Sequence, residues 1–282
     1  MIRVYVAKPI DPAWRQWQKD AEAESKHAKN AKGRKSYKVD ADLYKRPRKY
    51  LLEAFADKCG YCETKIDAPD RFGDVDHFRP KGRVTNEDYS PVTIAGTGGK
   101  PHPHPGYYWL VYAWSNFIPS CPACNRPGED RDGLKSGKWD VFPVGSVFRA
   151  TEPGDEVKEK PLLINPREED PNEHLVFDTQ TGIIGFKTPR GETTIRLLGL
   201  NRRGLPEKRL EAYDLALGLW SKYEEALRLK DEALMKKLEI QRDNCRTGRV
   251  AYAAFSRLGI AEARAKNEER LKTLRRFLSS DG

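Results

Sequence analysis

Nowhere in the 282 residues is there an apolar run approaching the roughly 20 positions that a membrane-spanning helix needs. The opening MIRVYVAKPIDPAW also lacks the apolar segment of a secretory signal. A soluble, cytoplasmic protein with no membrane partner is therefore expected. Cysteine is scarce as well: five residues in a chain without a secretory signal argue against a disulfide framework, so their spacing has to say what they do. No internal repeat of useful length is found, which sets a repeat architecture aside. What is present suffices for a folded protein, since 38% hydrophobic content and six Trp can fill one substantial core or two modest ones.

Net charge is +9, and its distribution matters more than its total. Lys and Arg outnumber Asp and Glu by 15 to 8 over residues 1–58 and by 19 to 13 over 200–282, whereas residues 59–199 carry 17 against 21. Basic flanks around a slightly acidic middle suit a polyanion held at both ends and worked on at the centre, because Lys and Arg supply most sequence-independent affinity for nucleic acid. An ordinary solvated surface is the competing reading. The stretch from Lys26 to Lys49 holds ten basic residues against Asp40 and Asp42, interleaved with Tyr37 and Tyr44, a mixture that fits phosphate contact with some stacking.

The chain opens on a short strand candidate, IRVYVAK, followed over residues 15–38 by a helix or mobile arm with a basic end. Residues 47–58, PRKYLLEAFADK, place Leu51, Leu52, Phe55 and Ala56 at helical spacing and deliver the chain to Cys59. Residues 85–106 are dense in Gly and Pro without a period and read as an inserted loop. His102 and His104 sit there between prolines and without an acidic partner, a poor setting for a metal. YYWLVYAWSNFI, residues 107–118, reads as a buried helix or strand, and HLVFDTQTGIIGF as a β-hairpin. Apolar residues then recur from Leu210 to Leu238 at steps of three, four or seven, which predicts one long amphipathic helix, and residues 261–278 predict another. The fold class is α+β, mainly helical. Four segments follow: a basic N-terminal arm and lead-in helix (1–58), a core (59–150), a hairpin-containing extension (151–205) and a C-terminal helical region (206–282).

Cys59-Gly-Tyr-Cys62 and Cys121-Pro-Ala-Cys124 are two CxxC pairs with 58 residues between them, too far for one compact zinc finger and suited to clamping two segments together. Four thiolates in two such pairs predict a tetrahedral structural Zn2+, and the rival redox reading leaves the second pair unexplained. Cys245 stands alone and reads as a small apolar residue. The clamp would bring DVDHFRPK, which follows Cys62, to SNFIPSCPACN. Asp76 and Asn125 can then each offer an oxygen to a hard divalent ion, Mg2+ or Mn2+, leaving room for water and a scissile phosphate. His77 would lie beside that ion, placed to take a proton from an attacking water. Arg79, Lys81 and Arg83 would contact the phosphate backbone.

Asp76-His77, Asn116 and Asn125, bracketed by the two CxxC pairs, resemble the HNH endonuclease motif with its ββα-metal fold. The resemblance implies a zinc-stapled ββα-metal core in which His77 is the general base, Asp76 a metal ligand and Asn116 the asparagine that braces the loop. Asn125 takes the final metal position, where histidine is common, and Glu129 is a further candidate ligand. KCGYCE, VDHFRPK, YYWLVYAWSNFIPSCPACN, VFPV, PLLINPREEDPNEHLVF and TTIRLLGLNR are similar to the HNH proteins of the Septu antiphage group, including those beside retrons. That similarity covers roughly residues 40–210 and implies a nuclease effector acting with an ABC-type ATPase. Two features depart from the group: Asp where Glu is expected before His77, and a longer segment after Asn125 that leaves Lys135 and Lys138 both open for the family's lysine.

The leading expectation is a metal-dependent endonuclease hydrolysing nucleic-acid phosphodiesters, with DNA as substrate. RNA, including tRNA, stays open, because attack by an activated water needs no 2′-OH. A zinc-stapled nucleic-acid-binding module without catalysis is the alternative from another class.

Overall fold

The computed structural model describes residues 1–30, 37–68, 71–95, 100–129, 133 and 135–280. Residues 31–36 of the basic run, 96–99 of the Gly- and Pro-rich stretch, and part of the segment after Asn125 lie outside the described residues. Ile2–Lys8, expected as a strand, joins no ladder; the Val4 N–H instead donates to the Pro166 carbonyl at 2.7 Å. Helix α1, Pro12–Asn30, starts where Asp11 Oδ1 accepts from the Trp14 N–H at 3.0 Å. Its buried residues Trp14, Trp17, Ala21 and Ala28 fall at steps of three, four and seven, one face of a helix. Trp14 and Trp17 meet the Trp114 ring edge-on at 4.9 and 6.1 Å. The short helices α2, Ala41–Lys45, and α3, Arg48–Ala54, then carry the chain to Cys59.

Strands among the described residues form five antiparallel two-stranded ribbons. These are β1, Asp67–Ala68, with β2, Arg71–Phe72; β3, Asp74–His77, with β6, Phe117–Ser120; and β4, Thr93–Ala95, with β5, Pro101–Pro103. β7, Gly128–Glu129, pairs with β8, Lys135–Ser136, and β9, Leu175–Phe177, with β10, Ile184–Phe186. The last is the hairpin expected from HLVFDTQTGIIGF. The stretch 85–106, read as an inserted loop, carries the β4–β5 ribbon: proline at both ends of β5 suits an exposed ribbon edge, where no N–H is required. YYWLVYAWSNFI folds as two 3-10 turns leading into β6, after which the short helix α4, Pro122–Asn125, begins.

Helices α5, Pro189–Leu197, α6, Leu205–Arg228, α7, Glu232–Thr247, and α8, Ala253–Ser280, complete the chain. The single long helix expected from Leu210 to Leu238 is in fact two. Lys230 adopts a left-handed conformation (φ 57°) and Asp231 caps α7 by accepting from the Leu234 N–H at 2.9 Å. The seven-residue step from Leu227 to Leu234 hid this break, since it continues the apolar period across the turn. The largest core draws on all four segments, from Leu52 through Tyr61, Phe78, Ile118, Phe142 and Leu198 to Phe255. Glu63, next to Cys62, accepts from the Ala254 N–H at 3.2 Å and so ties the first cysteine pair to the start of α8. No described helix is long and apolar enough to cross a membrane.

Candidate functional site

Both cysteine pairs are built as tight backbone knuckles. The Cys59 N–H donates to Thr64 O at 2.9 Å, and Cys121 O accepts the Cys124 and Asn125 N–H groups at 3.1 and 3.0 Å. Between them Gly60 lies against β6, donating to Pro119 O at 2.7 Å; a Cβ there would sit 2.6 Å from Ile118 Cγ2, so only glycine fits. The four sulfurs are buried and lie within 4.8 Å of one another, with Cys62 Sγ and Cys121 Sγ 3.7 Å apart. A tetrahedron of Zn–S bonds near 2.3 Å spaces its sulfurs by about 3.8 Å. The cluster could therefore hold a zinc ion.

With the knuckles joined, β3 and β6 pair so that Asp76 lies opposite Ile118 and His77 opposite Phe117. A strand sends successive side chains to opposite faces, which has a direct consequence here. On one face, Asp74 Oδ2 accepts from Asn125 Nδ2 at 2.9 Å and both of its oxygens pair with Arg126. On the same face, Asp76 Oδ2 accepts from the Tyr61 hydroxyl at 2.6 Å and Oδ1 from Lys138 Nζ at 3.1 Å. Lys138 has no exposed side-chain surface and also donates to His77 O at 2.7 Å. Burial pushes the Asp76 carboxyl above its usual range despite Lys138 and Tyr61.

His77 points to the other face. Its ring meets those of Tyr44 and Phe117 edge-on at 4.9 and 5.2 Å. Nε2 lies 2.8 Å from Val111 O, and since a carbonyl only accepts, Nε2 carries the proton. Nδ1 is thereby the basic nitrogen, 3.5 Å from Lys81 Nζ. Burial, and then the Lys81 ammonium, holds the ring pKa well below its usual value, so the imidazole is neutral. Asn116, just before β6, clamps the turn after His77: its Oδ1 accepts from the Arg79 N–H at 2.8 Å and its Nδ2 donates to Arg79 O at 3.0 Å.

The sequence reading set Asp76, His77 and Asn125 around one ion; the pleat instead separates Asp76 from His77 and brings Asn125 to Asp74. Arg79, expected at phosphate, is turned inward: Nε pairs with Glu159 at 3.1 Å and the guanidinium lies over the Phe142 ring at 5.5 Å. Arg83 is half exposed and pairs with Asp140 at 2.6 Å, while Lys81 lies over the Tyr44 ring at 4.8 Å. Glu129 is exposed on the β7–β8 ribbon. His104 is buried with both ring nitrogens used by backbone, at Ala150 O and the Gly106 N–H. Of the two lysines left open, Lys138 is the buried one at Asp76 and Lys135 is exposed. Asp74 was missed, although its step of two from Asp76 places both carboxylates on one face. Tyr61, inside the first CxxC, carried no signal.

Gly137 sets Lys138 in place. Its φ is +111°, and a Cβ there would lie 1.9 Å from Arg126 O. Gly137→Ala is expected to cost at least about 1–3 kcal/mol in backbone strain, read as a lower denaturant midpoint; an unchanged midpoint would mean that this approach is not close.

No family model and no solved structure matches the chain. Among curated proteins it is similar to Septu protein PtuB of Bacillus mycoides (strain KBAB4), 40% identical over 171 residues, which is 59% of this chain and 51% of that protein. It is 30% identical over 169 residues to Septu protein PtuA of the same organism, covering 58% of this chain and 20% of that one. Septu protein PtuB of Bacillus thuringiensis is 26% identical over 152 residues, 54% of this chain and 40% of the relative. The chain thus spans about half, or less, of the length of the curated relatives it matches.

Proposed function

We propose that the chain is a metal-dependent endonuclease of the HNH type, cleaving DNA as the effector of a Septu antiphage system in which an ABC-type ATPase is its partner. One observation carries the reading: His77 ends β3 as a neutral imidazole whose Nε2–H is fixed on Val111 O, so that Nδ1, faced by Lys81 Nζ at 3.5 Å, is the nitrogen that can take a proton, while Asn116 clamps the turn that follows. The strand–strand–helix order of β3, β6 and α4 around the cysteine cluster, and the likeness to Septu proteins, support it.

A Mg2+ or Mn2+ ion would be held by the oxygen donors of Asp74, Asp76 and Asn125 once it displaces the Lys138 and Arg126 cations that those carboxylates now pair with, and would stabilise charge on the phosphate and on the leaving oxygen. β3 ends at His77, so a phosphate lying across that end would meet Asp76 from one face and His77 from the other. His77 Nδ1 accepts a proton from the attacking water, and the Val111 carbonyl keeps the ring from rotating. Lys81 and Arg83 lie on the turn that follows His77 and would contact the phosphates; Arg83 must first exchange Asp140 for one.

Incubation with plasmid DNA, single-stranded DNA and tRNA in Mg2+ or Mn2+ tests this. Wild type is expected to cut DNA, and His77→Ala to cut it slower by about a hundredfold to ten-thousandfold. Equal cutting by the variant would remove His77 as the base, and cleavage of tRNA with intact DNA would move the substrate to RNA.

A further inference from the structure

The cysteine cluster has a fifth participant that neither CxxC pair announces. Arg202, in the turn between α5 and α6, directs its guanidinium at the sulfurs. Nη1 donates to Cys124 Sγ at 3.5 Å, and Nη2 donates to Cys62 Sγ at 3.4 Å and to Cys121 Sγ at 3.6 Å, ordinary lengths for hydrogen bonds to the larger sulfur atom. Nη1 also donates to the carbonyls of Leu198 and Gly199, both at 3.1 Å. Those backbone contacts hold the head group in place whatever the cysteines bear. The residue belongs to the TTIRLLGLNR motif, for which the proposed chemistry has no other use.

We propose that Arg202 is a positioning residue for the zinc site: it hydrogen-bonds three of the four thiolates, offsets half of the cluster's excess charge, and thereby sets how tightly the metal is held. Four thiolates around Zn2+ leave a net charge of −2 in a buried place, and a buried charge is costly unless paired. Guanidinium suits the task because it never loses its proton and its planar fork reaches several acceptors at once. Its position matters too. Cys121 is 7% exposed, against 0–2% for the other three, and it opens on a cleft of about 380 Å³ that Arg202 also lines. Arg202 therefore stands where a chelator or an electrophile would reach a sulfur. It also makes the metal a staple of three segments, the two knuckles and the α5–α6 turn.

The test uses the full chain as Arg202→Gln and Arg202→Lys. Transfer of zinc to a chromophoric chelator is expected to show affinity lowered about 10–100-fold in the glutamine variant, the usual cost of losing an outer hydrogen-bond partner of a metal ligand. The lysine variant, which keeps the charge and loses the fork, is expected to fall between. In the Co2+-substituted protein, Arg202→Gln is expected to move the sulfur-to-metal charge-transfer band to lower energy with tetrahedral ligand-field bands retained, a change that a purely structural role would not produce. Unchanged zinc affinity together with an unchanged cobalt spectrum in the glutamine variant overturns the proposal. If that variant does not fold, the lysine variant decides alone: wild-type affinity and spectrum would overturn it equally. A wild-type chain that binds no stoichiometric zinc removes the metal site itself, an outcome distinct from either and independent of whether the protein cuts DNA.

Discussion

Cys124→Ser is expected to unfold the centre of the protein rather than loosen it. A structural zinc in small domains contributes about 10–16 kcal/mol of binding free energy at neutral pH, which is folding free energy when no site exists in the unfolded chain. The whole stability of a typical domain is about 5–15 kcal/mol, so most of the margin rests on such a site. Here the coupling is direct. The Cys124 carbonyl accepts the Lys138 N–H at 2.8 Å, its sulfur faces Arg202, and the knuckle before it receives β6. Loss of one thiolate would therefore release α4, the Lys138 segment and the α5–α6 turn together. The expected result is a chain without bound zinc, read by elemental analysis, with near-UV circular dichroism collapsed and backbone amides of β3 and β6 exchanging freely. Chelation of wild type should give the same state, and added zinc should reverse it. A zinc-free variant with a native melting transition would show that packing alone holds the core.

The two CxxC pairs were legible because their chemistry is local and the residue type admits few uses. The hairpin at 175–186 was legible for the same kind of reason: apolar runs flank a turn whose Gly182 has a positive φ. What escaped the sequence was direction and distance. Asp76 and His77 are neighbours in the chain, yet neighbours in a strand face apart, so the sequence alone did not say which face each side chain takes. The break between α6 and α7 was masked by an apolar period that runs through it. Arg79 looked like its exposed basic neighbours until Glu159, 80 residues on, captured it. Arg202 lies 78 residues beyond Cys124, and no local pattern links a cation in a helix-to-helix turn with a sulfur cluster.

Asp76→Ala carries the second large effect. From the sequence alone this change removes a metal ligand and leaves zinc and fold intact. The ion pair with Lys138 alters that expectation, since Asp76 is 5% exposed and Lys138 not at all. Truncating one partner of a buried pair leaves an unmatched charge and costs about 3–5 kcal/mol, whereas replacing both with apolar residues of similar size is often neutral. Asp76→Ala is thus expected to lower the denaturant midpoint sharply, to leave the Tyr61 hydroxyl without its acceptor, and to abolish cleavage. Asp76→Leu combined with Lys138→Met is expected to recover most of the stability and none of the cleavage. That split matters, because it separates the carboxylate's part in folding from the part in chemistry proposed for it, which the single variant confounds. Zinc content should stay at wild-type level in the double variant, as the cysteine cluster does not use either residue. If Asp76→Ala instead unfolds at the wild-type midpoint, Lys138 has another place to put its charge, and the carboxylate is free to serve a metal without first giving up an ammonium ion.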